Sequence, residues 1–295
     1  VKIGIIGAGK WGQALHFALS QKNRIYIHSR TRRDIENFVS LDEVLDCEYL
    51  IIAISTQALR GWLSNNFQYR NQKVLLATKG IDIEIGEFPS QILEKFVPKE
   101  NIAFLSGPSF ADEVVQSLPT ALVINSSNLE TANQFANLFP KFIKTYISTD
   151  IRGAEIAGAY KNILAIASGI CEGLKLGNNA KASLIARGLV EMARFGKIFG
   201  GEIETFIGLS GAGDLFLTAN STMSRNYRVG LRLSEGKNID EILEELGEVA
   251  EGVKSVEAII KIKNRENLYT PIADEVYKII HNLTTPLEAL DRLLE

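Results

Sequence analysis

An apolar, small-residue helix pattern runs through DIRGAEIAGAYKNILAIASG, Asp150 to Gly169, and near its middle stand Lys161 and Asn162. One turn away are Ala157, Gly158, Leu164 and Ala165, so no carboxylate on the same helix can pair with the ammonium group. Such a lysine either snorkels to a wet edge or lines a half-buried site, where desolvation lowers its pKa toward values useful for proton transfer. Further on, Gly208-Leu209-Ser210-Gly211-Ala212-Gly213-Asp214 places glycines ahead of a helix, a backbone that allows close approach and presents free amides. If a helix continues from Asp214, then Asp214, Thr218, Ser221 or Thr222, and Arg225 recur near one face. Ser224-Arg225-Asn226 would then offer a hydroxyl, a guanidinium fork and an amide to a phosphomonoester. Each has a plainer reading: Asp214 as an N-cap, Arg225 in a surface salt bridge, and Glu248-Val249-Ala250-Glu251-Gly252 as an acidic turn and not a cofactor contact.

The elements that must position these groups start with a dinucleotide site. Lys2 to Ile6 is a β-branched run suited to a buried parallel strand, and it enters Gly7-Ala8-Gly9-Lys10-Trp11-Gly12 and a helix over Gln13 to Ser20. This is GxGxxG with a strand before it and a helix after it: Gly7 for the tight turn, Gly9 for approach of a pyrophosphate, Gly12 for close helix packing. The second strand, Arg24 to His28, ends in Ser29-Arg30-Thr31-Arg32-Arg33, where an NAD-specific site would carry an acidic residue on the ribose. The first carboxylate is Asp34. A serine and three arginines suit the extra phosphate of NADPH, with Arg30 best placed, and a solvated basic turn is the alternative.

Five more strands follow, over Tyr49 to Ile54, Lys73 to Thr78, Ile102 to Leu105, Thr120 to Ile124 and Phe142 to Tyr146. Ligands of open α/β sheets bind beyond the carboxyl ends of strands, which puts Lys79 and Ser109 at the rim. From Asp150 the β-branched runs stop and helical periodicity takes over. The expected fold is an α/β Rossmann-type doubly wound sheet domain, residues 1–149, followed by an all-α domain, residues 150–295.

Composition agrees with that class and excludes others. Hydrophobic residues make up 46% and charged residues 23% of the 295, the balance of a globular protein, and the length suggests two domains. The formal charge of −3 provides no basic field for a nucleic-acid backbone. Cys47 and Cys171 have neither a disulfide framework's nor a metal site's spacing, so no metal is expected and a reducing cytoplasm is the natural compartment. The opening VKIGIIGAG lacks the basic region and cleavage site of a signal peptide, and no apolar run is long enough for a membrane span. His281 is the one histidine in the second half, so a histidine acid/base has few places to come from.

The succession GAGKWG, ATKG at Lys79, SGPSFA at Ser109, GAYKNI at Lys161, ARGL at Arg187, GLSGAGDLFLT at Asp214, SRN and AEGV resembles bacterial-type NAD(P)-dependent glycerol-3-phosphate dehydrogenase over essentially the whole chain. The resemblance implies a Rossmann domain with a helical domain, and reversible reduction of dihydroxyacetone phosphate to sn-glycerol 3-phosphate for glycerophospholipid synthesis. It implies Lys161 as acid/base, with Lys79, Gly107, Ser109, Asp214, Ser224, Arg225 and Asn226 around substrate. It further implies Gly7, Gly9, Lys10, Trp11, Gly12, Arg30, Lys79, Ala111, Arg225, Val249 and Glu251 at an NADPH site that also admits NADH. Asp214 and Asn162 would position the amine, Lys79 would add positive charge near the oxyanion or phosphate, and amides of the glycine-rich loop would join Arg225 and Asn226 on the phosphate. The chain departs from the family where Lys10 replaces a small hydroxyl residue, where DIENFVSLDEVLD lacks an Asn-Pro-containing insertion, and where Ser55-Thr56-Gln57 replaces Pro-Ser-Gln. A homodimer is expected. The competing readings are a β-hydroxyacid dehydrogenase of the 3-hydroxyisobutyrate or 6-phosphogluconate type, and a non-catalytic NADPH sensor.

Overall fold

Seven strands, β1 (Lys2–Ile6), β2 (Arg24–His28), β3 (Tyr49–Ile52), β4 (Lys73–Leu76), β5 (Ile102–Ser106), β6 (Thr120–Asn125) and β7 (Ile143–Ser148), form one sheet in the order β2-β1-β3-β4-β5-β6-β7. The computed structural model describes residues 1–247 and 250–294. Neighbouring strands are parallel except β5 and β6, which run antiparallel with Leu105 opposite Ile124. Alternation along each strand divides the apolar side chains between two layers. Ile3, Ile5, Ile51 and Leu75 pack with Leu15 and Leu19 of the Lys10–Ser20 helix on one face. Ile6, Leu50, Ile52 and Leu76 pack with Leu59 and Leu63 of the Thr56–Asn66 helix on the other. A sheet covered on both faces explains why its strands read as apolar runs and not as an alternating pattern. Because the chain leaves β1 toward β2 and returns to β3 on the opposite side, the glycine-rich turn after β1 sits where the strand order reverses.

The chain divides into two compact units, Val1–Lys79 with Glu87–Glu155, and Gly80–Gly86 with Ile156–Glu295. The helix Ile151–Gly173 begins in the first, where Asp150 caps it by accepting the Gly153 amide at 2.7 Å. Glu155, fully buried, accepts Ser90 N at 2.7 Å and Ser90 Oγ at 2.8 Å. Burial pushes its carboxyl up to about 7 against the pull of Arg152 and Ser90. A folded-state pKa above the unfolded value means that the native protein holds the extra proton between about 4.5 and 7. Stability therefore falls as pH rises through that window and levels off above it, by on the order of 3 kcal/mol from this group. Glu155→Gln should gain stability relative to the wild type by about that much between pH 5 and pH 8, measured by urea unfolding. A constant difference between the two proteins would show that Glu155 does not titrate there.

The second unit is helical, and its framework is the continuation of the Ile151–Gly173 helix. Helix Arg225–Ser234 lies on it backbone to backbone: a methyl group on Gly169 would stand 2.1 Å from Tyr227 O, and one on Gly230 would stand 2.0 Å from Ile166 O. Helix Gly177–Ile198 approaches from another flank, where a methyl on Gly188 would meet Leu164 at 2.6 Å. Helices Asp214–Ala219, Glu251–Glu266, Pro271–Ile280 and Pro286–Leu294 complete the surroundings. No described helix is long and apolar enough to cross a membrane.

Candidate active site

In the first unit the turn after β1 has a closed side and an open side. Gly7 has φ +108°, in the left-handed region, and a side chain there would meet Ala53 O at 2.5 Å. A methyl on Gly12 would meet Gly7 O at 1.9 Å, so the helix Lys10–Ser20 starts hard against the strand. A methyl on Gly9 would meet nothing within 4 Å, and no side chain caps that helix or places acid in its first turn. Open space at Gly9 and an uncapped helix start suit a pyrophosphate. Beside the turn lies a cavity of about 520 Å³, bounded by Gly7, Gly9, Ser29, Arg30, Thr31 and Arg33 at its polar end. Among the described residues no carboxylate lines it, and its serine, threonine and arginines suit the phosphates of a dinucleotide. Its apolar end, Leu41, Ile54, Ala58 and Trp62, was not legible in the sequence because those residues come from two further segments.

Other expected residues of this unit stand at the same strand ends. Lys79 follows β4, and Thr56 donates to its carbonyl at 3.1 Å, which ties the start of one helix to the neighbouring rim. Gly107 and Ser109 follow β5, with Ser109 Oγ 3.4 Å from Gly107 O. Lys10 is exposed at the first position of its helix. Trp11 and Ala111 are partly buried and pack on one apolar cluster.

In the second unit Lys161 does not snorkel. It is buried, and Nζ donates to Asp214 Oδ1 at 2.8 Å and to Thr218 Oγ1 at 2.9 Å. Thr218 Oγ1 in turn donates to Asp214 O at 2.7 Å. One turn of the Asp214–Ala219 helix thus faces the lysine with a carboxylate and a hydroxyl. Two turns along, Ser168 Oγ donates to Ala219 O at 2.7 Å and extends the same seam. Asn226 Oδ1 accepts the Gly252 amide at 2.9 Å, and a methyl on Gly252 would lie 2.9 Å from Asn162 O. Gly252, within the AEGV stretch, therefore brings the SRN and KN segments together with Glu251, the first residue of its helix. Gly252's role as that junction had no signal in the sequence beyond being a glycine.

Three expectations need correction. The helix from Asp214 stops at Ala219 and a separate helix starts at Arg225, so Ser221, Thr222 and Arg225 do not continue the Asp214 face. The Leu209–Gly213 segment is a π turn packed on Phe206, with Gly213 N donating to Gly208 O at 3.0 Å and the Asp214 amide donating to Leu209 and Gly211 carbonyls. Those two amides are satisfied internally and are not open to a phosphate, and the segment presents Asp214. Asp214 is not an N-cap, since Gly213 holds that position and the carboxylate faces Lys161. Ser224 Oγ caps the Arg225–Ser234 helix by accepting Tyr227 N at 3.3 Å, while Arg225 is exposed and Asn226 buried beside it. Val249 lies outside the described residues. Arg187 reaches the Leu293 carbonyl at 2.6 Å and secures the last helix. His281 is engaged by Glu257.

Residues 29–132 match the model of the NAD-dependent glycerol-3-phosphate dehydrogenase N-terminus, and residues 150–291 match that of its C-terminus. A glycerol-3-phosphate dehydrogenase [NAD(P)+] of Sulfurimonas denitrificans is 64% identical over 282 residues, covering 96% of this chain and 95% of the relative. One from Nitratiruptor is 59% identical over 99% of this chain and 98% of the relative. The crystal structure of glycerol-3-phosphate dehydrogenase from Coxiella burnetii superposes with a TM-score of 0.91 at 31% identity, covering 100% of this chain and 98% of that one. With a dinucleotide turn, a buried Lys-Asp-Thr group and this agreement along its whole length, the chain belongs to the NAD(P)-dependent glycerol-3-phosphate dehydrogenase family.

Proposed function

We propose that the protein reduces dihydroxyacetone phosphate to sn-glycerol 3-phosphate, reversibly, with Lys161 as the proton donor and acceptor. The observation that carries the reading is the buried Lys161 ammonium held by Asp214 and Thr218 in a chain of this family. When bound, the reduced coenzyme supplies a hydride to the carbonyl carbon. Lys161 Nζ gives a proton to the oxygen as it becomes an alkoxide, and in the reverse direction the neutral amine takes that proton back. Asp214 and Thr218 hold the amine so that transfer needs no search over rotamers. Arg225 and Asn226 bind the phosphate, Ser224 holds them in place by capping their helix, and Lys79, Gly107 and Ser109 complete the substrate contacts. On the coenzyme, Gly7, Gly9 and Gly12 shape the pyrophosphate turn, Lys10 and Trp11 flank it, and Ala111, Val249 and Glu251 make further contacts. Arg30, with Arg33 beside it on the cavity wall, takes the 2′-phosphate.

The same reading assigns residues 1–149 to the coenzyme and 150–295 to substrate and catalysis. It places the enzyme in the cytoplasm, where its product feeds glycerophospholipid synthesis. A homodimer is supported by large exposed apolar side chains of the helical half, among them Val190, Ile198 and Leu294.

The test is coenzyme oxidation with dihydroxyacetone phosphate and, beside it, unphosphorylated dihydroxyacetone. Rapid turnover is expected only with the phosphorylated ketone, and faster with NADPH than with NADH. Arg30→Ala should reduce the preference for NADPH by about tenfold, the loss of one charge-assisted contact of roughly 1.5 kcal/mol. Absence of oxidation with either coenzyme would remove the assignment, and an unchanged coenzyme ratio in Arg30→Ala would remove Arg30 from the phosphate.

A further inference from the structure

Next to Lys161 the same helix carries Tyr160, whose side chain is fully buried and whose hydroxyl donates to Glu191 Oε1 at 2.7 Å. Glu191 lies on the Gly177–Ile198 helix and is itself buried, a costly place for a carboxyl group. Its two oxygens also accept Ile272 N at 2.9 Å and Ala273 N at 3.0 Å. Those amides open the Pro271–Ile280 helix, whose N-cap residue Thr270 supplies no side-chain cap. Burial pushes the Glu191 carboxyl up, and the Ile272, Tyr160 and Ala273 donors pull it back. One buried carboxylate thus joins three helices, and the chemistry assigned to Lys161 makes no use of it.

We propose that Glu191 is a positioning residue for Lys161, acting through the Tyr160 hydroxyl to fix the roll of the lysine-bearing helix. This rests on the reading of Lys161 as the proton donor. Successive helical residues are about 100° apart, so Tyr160 holds the flank adjoining the lysine face. Backbone-tight contacts also restrain this helix, at Asn162 O against Gly252 and at Ile166 O and Gly169 against the Arg225–Ser234 helix, and they involve other residues than Tyr160. At the level of Lys161 the directional restraint on that flank is the Tyr160 to Glu191 bond, with the Tyr160 ring packed on Phe195 at a centroid distance of 5.4 Å. A roll of about 10° sweeps a group at a helix's outer radius of about 6 Å through roughly 1 Å. A displacement of about 1 Å is enough to cost on the order of a hundredfold in rate.

Tyr160→Phe tests this, because it keeps the ring against Phe195 and leaves Glu191 its two backbone donors. We expect kcat to fall about 10- to 100-fold with KM for dihydroxyacetone phosphate within twofold, and a crystal structure of the variant to show Lys161 Nζ displaced from Asp214 Oδ1. Glu191→Gln, which also weakens the cap, should lower kcat similarly and the melting temperature further. A purely structural role would lower the melting temperature and leave kcat per folded molecule unchanged, and that result overturns the proposal. A Tyr160→Phe crystal structure with the 2.8 Å contact intact overturns it also, whatever the substrate proves to be. If the wild type turns over and Tyr160→Phe matches it, positioning through Tyr160 fails while the assigned reaction stands. If the wild type reduces no ketone, the reaction fails and the position of Nζ in the variant still decides the role of Glu191.

Discussion

Lys161→Ala is expected to lower kcat for dihydroxyacetone phosphate reduction by a factor of about 10² to 10⁴ while leaving NADPH affinity within twofold of the wild type. The size is that of removing a positioned acid/base from a proton transfer. The separation from binding follows from the assigned roles: the Gly7 to Gly12 turn and the cavity with Arg30 and Arg33 hold the coenzyme, and Lys161 acts on the ketone oxygen. Lys161→Arg separates proton transfer from charge. A guanidinium keeps the positive charge near the developing oxyanion, yet it does not release its proton near neutral pH and does not fit a site shaped for an ammonium. Lys161→Arg should lose rate to the same extent as Lys161→Ala, and a small primary amine added to Lys161→Ala should restore part of the rate. Steady-state kinetics with a fluorescence titration of NADPH makes the measurement. An alanine variant retaining more than a tenth of wild-type kcat would remove Lys161 from the chemistry, and activity in the arginine variant would reassign it to electrostatic stabilisation.

The parts of the site legible in the sequence were those with a local physical reason. Strand-then-GxGxxG-then-helix predicts Gly7, Gly9 and Gly12 because each glycine answers a local steric demand, and added methyl groups at Gly7 and Gly12 do collide with backbone atoms. Helical periodicity beyond Asp150 was also legible: Arg225–Ser234, Ile239–Leu246 and Pro286–Leu294 are all helices of that half. Helices of four or five residues, Pro89–Leu93, Ala111–Val114 and Ile203–Ile207, were not, since so short a stretch completes little more than one turn and shows no period. The π turn at Leu209–Gly213 escaped for a related reason. Its i→i+5 bonds leave no signature in residue spacing, and Gly208, Gly211 and Gly213 read equally well as an open anion loop. Partnerships across the chain escaped altogether. Lys161 finds Asp214 53 residues later, and Tyr160 finds Glu191 31 residues later. Nothing in either local pattern selects one carboxylate over another, so the motif resemblance could name Asp214 while Glu191 required the packed helices.

Asp214→Ala should destabilise the protein by about 3 to 5 kcal/mol, more than most single substitutions. The side chains of Lys161 and Asp214 are 9% and 3% exposed, so removing the carboxylate leaves an ammonium group in a place where water does little to stabilise it. Thr218 Oγ1, at 2.9 Å, offers a neutral acceptor in place of a charge. Removing both charges together has a different consequence. A buried pair gains little over apolar side chains of similar volume, because the Coulomb attraction is offset by the desolvation of two ions. The double variant Lys161→Met with Asp214→Leu should therefore fold with a stability within about 1 kcal/mol of the wild type, or above it, and reduce no substrate. Urea unfolding of the wild type, Lys161→Met, Asp214→Leu and the double variant gives the coupling as a double-mutant cycle. A large coupling with an inactive, stable double variant means that the pair is retained for chemistry at a net stability cost near zero. Additive effects, with Asp214→Ala losing less than about 1 kcal/mol, would mean that solvent reaches the ammonium in solution and that the pair is weaker than its burial implies. Asp214→Asn refines the distinction, since the amide oxygen keeps a hydrogen-bond acceptor at the lysine and removes only the charge. Stability close to the wild type with turnover lost would assign to the carboxylate's charge the work of holding Lys161 ready for proton transfer.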